Sequence, residues 1–168
     1  MSDLTPRYLL DKNVIRHLIN GLRLPKRMGA EEQLALAIWV RLRQSGSLLC
    51  MSVETSHILQ RLPSYREIAV VDKTVPTLEA GRYFKRWAHR LREHGFTRED
   101  AKVLSLGTFG TDTTGAILGV GTVVTFDRPL INNFSAARVG AGEPSGRYGS
   151  QSTATSRQRS ACQGLPPG

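Results

Sequence analysis

Three aspartates stand where their carboxylates are expected to reach a common site. Asp11 follows the apolar run at residues 7–10, and Asp127 follows the β-branched run at residues 122–126. Asp100 stands in the first turn of a predicted helix. If both runs are central parallel strands, their carboxyl ends open on one crevice, which is where α/β sheets bind ligands. The sequence therefore predicts that Asp11, Asp100 and Asp127 lie close together.

Carboxylates that share a crevice repel one another, so they need raised pKa values or a neutralising cation. Mg²⁺ or Mn²⁺ suits this role, because hard cations prefer oxygen ligands. Such an ion can activate water and stabilise charge that develops on a phosphate. Each aspartate also has a structural explanation, since Asp11 can cap a helix, Asp100 suits the positive end of one, and Asp127 can form a turn. Their joint placement favours a site.

The elements that would position these residues alternate between strands and helices. Short apolar or β-branched runs predict strands at residues 7–11, 48–51, 68–71 and 122–126. Apolar periodicity and capping residues predict helices over 13–22, 30–44, 52–62, 76–94 and 97–109. Strands that alternate with helices predict an α/β fold with three layers, α/β/α, around a central parallel sheet. The Thr- and Gly-rich stretch 108–121 has no clear assignment.

The chain is basic and divides into two parts of different composition. It has 168 residues and a net charge of +9, with 19 Lys and Arg against 13 Asp and Glu in residues 1–134. Residues 135–168 are rich in Gly, Ser and Arg and have few large apolar side chains. We expect a folded domain at 1–134 and a disordered basic tail at 135–168, since such a composition buries too little surface to fold. The positive charge favours an anionic partner, with nucleic acid ahead of an acidic membrane surface or an acidic protein. The charged side of the predicted helix 76–94 is either a solvated face or a phosphate-contacting surface.

Cysteine usage and hydropathy indicate the compartment. Cys50 stands in an apolar run and is predicted to be a core residue, whereas Cys162 stands in the tail. No spacing of Cys and His suggests a zinc site or a disulfide framework. The polar N-terminal residues do not resemble a signal peptide, and no apolar stretch is long enough to span a membrane. These features predict a cytoplasmic protein that does not enter the membrane.

Three motifs resemble those of the PIN-domain family, in the same order, over about residues 7–134. The first is Leu9-Leu10-Asp11-Lys12-Asn13-Val14, an Asp that closes strand one with Asn-Val shortly after it. The second is Phe96-Thr97-Arg98-Glu99-Asp100-Ala101, and the third is Val123-Val124-Thr125-Phe126-Asp127-Arg128-Pro129-Leu130.

This resemblance implies a PIN-like fold and a nuclease that depends on Mg²⁺ or Mn²⁺, often an endoribonuclease that acts as the toxin of a toxin–antitoxin pair. It implies that Asp11, Asp100 and Asp127 ligate the metal and that Asn13 and Thr125 support the site by hydrogen bonding. RNA, an antitoxin protein and a second copy of the chain are the partners implied.

One position departs from the family pattern. The family has a Glu on the helix after strand two, and Ser52-Val53-Glu54-Thr55-Ser56-His57-Ile58-Leu59 has Ile58 there. Glu54 lies one turn earlier on the same helix face, about 6 Å away along the axis, and is a candidate replacement with a catalytic role. Asp112 is a second candidate, although its Gly- and Thr-rich surroundings favour a loop residue.

Three functions remain open on this sequence. The first is a metal-dependent endoribonuclease whose basic helix 76–94 holds the RNA backbone. The second is a degenerate PIN-like domain that binds RNA or a protein partner without cutting, which Ile58 favours. The third is a phosphotransfer enzyme with Asp11 as its nucleophile. Such enzymes carry a second Asp two residues later, and Asn13 at that position counts against this reading.

Overall fold

A computed structural model describes residues 5–63, 65–115 and 119–140 of the chain. Within them the fold is α/β, with seven α-helices and five strands. The strands are β1 (Arg7–Leu10), β2 (Leu48–Ser52), β3 (Thr77–Ala80), β4 (Gly110–Thr111) and β5 (Thr122–Val124). The helices are α1 (Lys12–Arg23), α2 (Ala30–Gln44), α3 (Val53–Arg61), α4 (Arg66–Thr74), α5 (Phe84–Glu93), α6 (Arg98–Phe109) and α7 (Arg128–Gly140).

The five strands form one sheet in the order β4-β3-β2-β1-β5. β1 pairs in parallel with β2 on one side and with β5 on the other, and β3 is parallel to β2. β4 is antiparallel to β3, so the prediction of a strictly parallel sheet is wrong at this edge and the sheet is mixed. The strand that follows β1 lies on one side of it and the last strand on the other. The boundary between β1 and β5 is therefore a topological switch point, where ligands of such sheets bind.

Side chains of the central strands alternate between two core clusters. Leu9 and Cys50 pack with Leu78 and Leu106 in one cluster, whereas the next residue, Leu10, belongs to another. This alternation follows from the two-residue period of a strand, and it buries both faces of β1 and β2. The prediction that Cys50 is a core residue is confirmed, and burial raises the pKa of its thiol to about 11.

The third predicted strand, 68–71, and the predicted helix 76–94 require correction. The run at 68–71 is not a strand but part of α4, because Ile68, Val71 and Val75 are buried at the spacing of a helix. Residues 77–80 form β3 rather than the start of a helix, and α5 begins only at Phe84. A short apolar run fits a buried strand and a buried helix turn equally well, so packing decides between them.

The last helix, α7, continues beyond residue 134, where the predicted domain boundary lies, so residues 135–140 are helical. The rest of the predicted tail, 141–168, is outside the described residues, and the boundary stays a prediction. None of the described helices combines the length and apolar character that crossing a bilayer requires.

Candidate active site

A cleft of about 600 Å³ opens at the carboxyl ends of β1, β2 and β3. Its walls include the first turns of α1, α3 and α6, because each of these helices begins at this edge of the sheet. The structure brings four of the five candidate acids into this cleft, together with one predicted supporting residue: Asp11, Glu54, Asp100, Asp127 and Asn13.

Asp11 is held by two hydrogen bonds at the end of β1. Its Oδ1 accepts from the backbone N–H of Lys12 at 2.7 Å, which caps α1, and its Oδ2 accepts from the Thr125 hydroxyl at 2.8 Å. Burial raises the pKa of the Asp11 carboxyl and the charge of Asp127 adds to this effect, although the hydrogen bonds and Lys12 act in the opposite direction. Burial therefore destabilises the ionised form of Asp11, and a bound cation would offset this destabilisation.

Thr125 joins the two strand ends that carry Asp11 and Asp127. While its hydroxyl donates to Asp11, its oxygen accepts from the backbone N–H of Asp127 at 3.0 Å and lies 3.4 Å from Nδ2 of Asn13. Asn13 also accepts from the backbone N–H of Phe126 at 3.4 Å. These contacts fix the loop after β5 against the start of α1, so both carboxylates are positioned by one hydrogen-bonded unit.

Asp127 and Asp100 both belong to helix starts. Oδ1 of Asp127 accepts from the backbone N–H of Leu130 at 3.1 Å, which caps α7. Asp100 lies in the first turn of α6, is only 9% exposed, and donates its backbone N–H to the Thr97 hydroxyl at 3.2 Å. Thr97 therefore caps α6. The positive end of a helix dipole stabilises each of these carboxylates.

Glu54, the candidate replacement for the absent family Glu, is bound to an ammonium group at the mouth of the cleft. Nζ of Lys102 lies 3.4 Å from Oε1 of Glu54 and 3.5 Å from Oε1 of Glu99. Nζ of Lys12 lies 3.9 Å from the other oxygen of Glu99. By contrast, no ion pair within the described part of the chain involves Asp11, Asp100 or Asp127.

Sequence reasoning did not identify Glu99 and Lys102 as residues of this cleft. The sequence contained a signal for both. Glu99 precedes Asp100, and Lys102 follows three residues after Glu99 on the same helix face. The other candidate acid, Asp112, lies in the turn after β4, where its carboxylate accepts hydrogen bonds from the backbone and hydroxyl of Thr114. It does not line the cleft, which agrees with its interpretation as a loop residue.

Comparison of the chain with protein-family models, with curated proteins and with solved structures gives no match.

The donor chemistry of the cleft is compatible with a hard divalent cation. Asp11 and Asp127 are close enough for the charge of one to raise the pKa of the other, and both offer carboxylate oxygens. In the described ranges, no three or more His, Cys, Asp or Glu side chains form a group that could hold a metal ion. This does not conflict with Mg²⁺, which keeps several waters and often takes only one or two carboxylates from the protein.

Proposed function

We propose that this protein is a PIN-like endoribonuclease, with a three-layer α/β/α arrangement, that hydrolyses RNA phosphodiester bonds with the help of Mg²⁺ or Mn²⁺. One observation carries the proposal. Asp11, Asp100 and Asp127 come from three distant parts of the chain, share a cleft at the carboxyl edge of the sheet, and have no ion-pair partner within the described residues. Structural carboxylates that are half-buried or buried are normally paired.

The residues of the cleft have separate roles in this proposal. Asp11 and Asp127 would hold the cation, with Asp100 facing it from α6. When bound, the ion supplies positive charge at the phosphodiester and makes water a better nucleophile. Thr125 favours the ionised form of Asp11 by donating a hydrogen bond to Oδ2, and Asn13 holds Thr125 and the loop that carries Asp127.

An RNA substrate is supported by charge outside the cleft. Helix α5 and the turn before it expose a row of basic side chains that faces solvent, and the chain as a whole carries a net charge of +9. Such a surface attracts the phosphate backbone by releasing its counterions. The exposed basic residues are Arg82, Lys85, Arg86, Arg90 and Arg92. The toxin–antitoxin role, the antitoxin protein, the homodimer and the cytoplasmic location stay predictions from the sequence.

Cleavage of a mixed pool of labelled RNAs tests the proposal. We expect cutting with Mn²⁺ or Mg²⁺, and loss of cutting with EDTA or in Asp11→Asn. Glu67→Gln removes an acid of α4 outside the cleft and is expected to cut like the parent protein. Circular dichroism shows whether each variant is folded. Equal cutting by folded parent and Asp11→Asn, or cutting that survives EDTA, would contradict the proposal.

A second candidate is a degenerate PIN-like domain that binds RNA or a protein partner without catalysis. Two observations favour it: Ile58 occupies the position of the family Glu, and the carboxylate of Glu54 is bound to Lys102. In that case the folded parent binds RNA or a partner but leaves the RNA uncut at every metal concentration.

A further inference from the structure

The cleft has two ends of different chemistry. Asp11 and Asp127 lie over the ends of β1 and β5, whereas Leu78 and Ala80 belong to β3. In the sheet order, β3 is two strands from β1, which corresponds to roughly 10 Å at the usual strand spacing. One cleft therefore extends from an acidic end across the edge of the sheet to an end over β3.

The end over β3 is lined mainly by apolar side chains. Leu78 and Leu106 are buried and form its base, while Phe84 and Val103 are half-buried at its side. Ile58 of α3 completes this wall and is 50% exposed, a large fraction for an isoleucine inside a cleft. Apolar surface that stays open inside a concave site indicates a ligand that covers it.

The chemistry around this wall limits what that ligand can be. Lys12 and Lys102 are paired with Glu54 and Glu99, so they do not select the charge of the ligand. The wall is continuous with the acidic end, where the proposed cation would bind a phosphodiester, so an occupant with a phosphate beside an apolar, planar group matches the cleft. A nucleotide in a single strand has this composition, and unpaired bases bind proteins by packing their flat faces on aromatic and apolar side chains. In a duplex those faces are covered by neighbouring base pairs.

We propose that Ile58, Phe84 and Val103 form a subsite for one unpaired RNA base, next to the phosphodiester at the acidic end of the cleft. This inference rests on the proposed nuclease function and names its substrate as single-stranded RNA. It also gives Ile58 a role. Ile58 stands where the family has a Glu, and in this proposal its side chain contacts the base.

Binding of a short labelled RNA, followed by fluorescence anisotropy, tests the subsite. The full chain is used with Ca²⁺ and in an Asp100→Asn background, so that the strand stays whole. The probes are the single strand, the same strand with abasic residues, and its duplex. Ile58→Asn alters a half-exposed side chain and is the main variant, with Phe84→Leu as the second. Val70→Asn alters an exposed side chain of α4 outside the cleft and is the control.

We expect the single strand to bind more tightly than the abasic strand and the duplex. Ile58→Asn should weaken binding of the single strand about fivefold, and Phe84→Leu about tenfold, as loss of a base contact does. Neither variant should change the affinity for the abasic strand, and Val70→Asn should change no affinity.

Three results would overturn the subsite: equal losses on normal and abasic strands, unchanged affinities in Ile58→Asn, or no RNA binding by the folded parent. The first two leave the proposed nuclease intact if the parent cuts RNA with Mn²⁺. Failure to cut would refute the proposed nuclease activity, but the affinities for the three probes could still be measured and compared.

Discussion

Asp11 illustrates how a single residue connects the fold to the proposed chemistry. The same carboxylate caps α1 and accepts from Thr125, yet its pKa is raised because burial disfavours the charged form. A residue selected only for capping would gain from exposure to solvent, where the ionised form is well hydrated. The burial of Asp11 is therefore better explained by a bound cation than by helix capping alone.

This environment predicts a pH-dependent effect of Asp11→Asn on stability. The folded-state pKa of Asp11 lies above its unfolded value of 3.8, so the folded state binds the proton more tightly. The stability that Asp11 contributes is then present at low pH and is lost as pH rises through the folded-state pKa. Asn does not titrate. The free energy of unfolding of Asp11→Asn, relative to the parent, should thus increase as pH rises from 3.8 through the folded-state pKa.

Urea unfolding of both proteins across this pH range measures the difference. Asn132→Ser alters an exposed residue that does not titrate, so its difference from the parent should be constant with pH. A relative stability of Asp11→Asn that is constant, or that falls as pH rises, would show that the folded state does not raise the pKa of Asp11.

At the scale of elements, the acidic end of the cleft is built from helix starts. Asp11 caps α1, Ser52 caps α3, Thr97 caps α6 and Asp127 accepts from the first turn of α7. All four helices begin at the carboxyl edge of the sheet, so their positive ends face the carboxylates. The caps therefore position the site as well as stabilising the helices.

Removing the Thr97 cap should affect both stability and activity. Thr97→Ala leaves the backbone N–H of Asp100 without its acceptor, and we expect a loss of about 1 kcal/mol in the free energy of unfolding. RNA cutting should fall as well, because Asp100 moves with the first turn of α6, and Thr97→Ser should restore both. Thr74→Ala removes an exposed hydroxyl at the end of α4 and serves as the control for thermal unfolding and cleavage. Full stability in Thr97→Ala would contradict the capping role.

The accuracy of the sequence prediction differed between elements for a physical reason. The ends of β1 and β2 and the start of α6 were predictable, because a capping side chain marks the point where each helix begins. The predicted strand 68–71 is part of α4 and the predicted start of a helix at 77–80 is β3, because the apolar runs there are too short for their periodicity to separate strand from helix. Their identity is decided by packing against β2 and α1.

β3 also depends on contacts that are invisible in a local sequence window. Gly81 follows it, and a Cβ at this position would overlap the carbonyl oxygen of Phe109 and the methyl group of Thr111. This close approach lets β4 pair antiparallel beside β3, which the prediction of a strictly parallel sheet missed. The shared cleft of Asp11, Asp100 and Asp127 was expected, whereas the ammonium group between Glu54 and Glu99 was not.

At the scale of the whole molecule, an acidic cleft lies in a protein with a net charge of +9. The cleft repels phosphate unless a cation is present, while the exposed basic side of α5 attracts it. This separation predicts that α5 contributes to RNA affinity without contributing to the chemical step.

Neutralising two charges of α5 should therefore change the salt dependence of RNA binding. For Arg86→Gln combined with Arg90→Gln, we expect the slope of log affinity against log salt to fall by about 1.4, since each contact with a single strand contributes about 0.7. Arg61→Gln with Arg66→Gln removes two exposed arginines outside this helix and is the control. Equal slopes for the parent and the α5 variant would exclude α5 from the RNA-binding surface.

The most direct test of the central claim is binding of Mn²⁺, measured by electron paramagnetic resonance on the full chain without RNA. We expect the parent to bind Mn²⁺ and Asp11→Asn and Asp127→Asn, both shown to be folded, to lose most of this affinity. Glu67→Gln should bind like the parent. Equal Mn²⁺ binding by the parent and both aspartate variants, or no binding by the parent, would contradict the assignment of the cleft as a divalent-metal site.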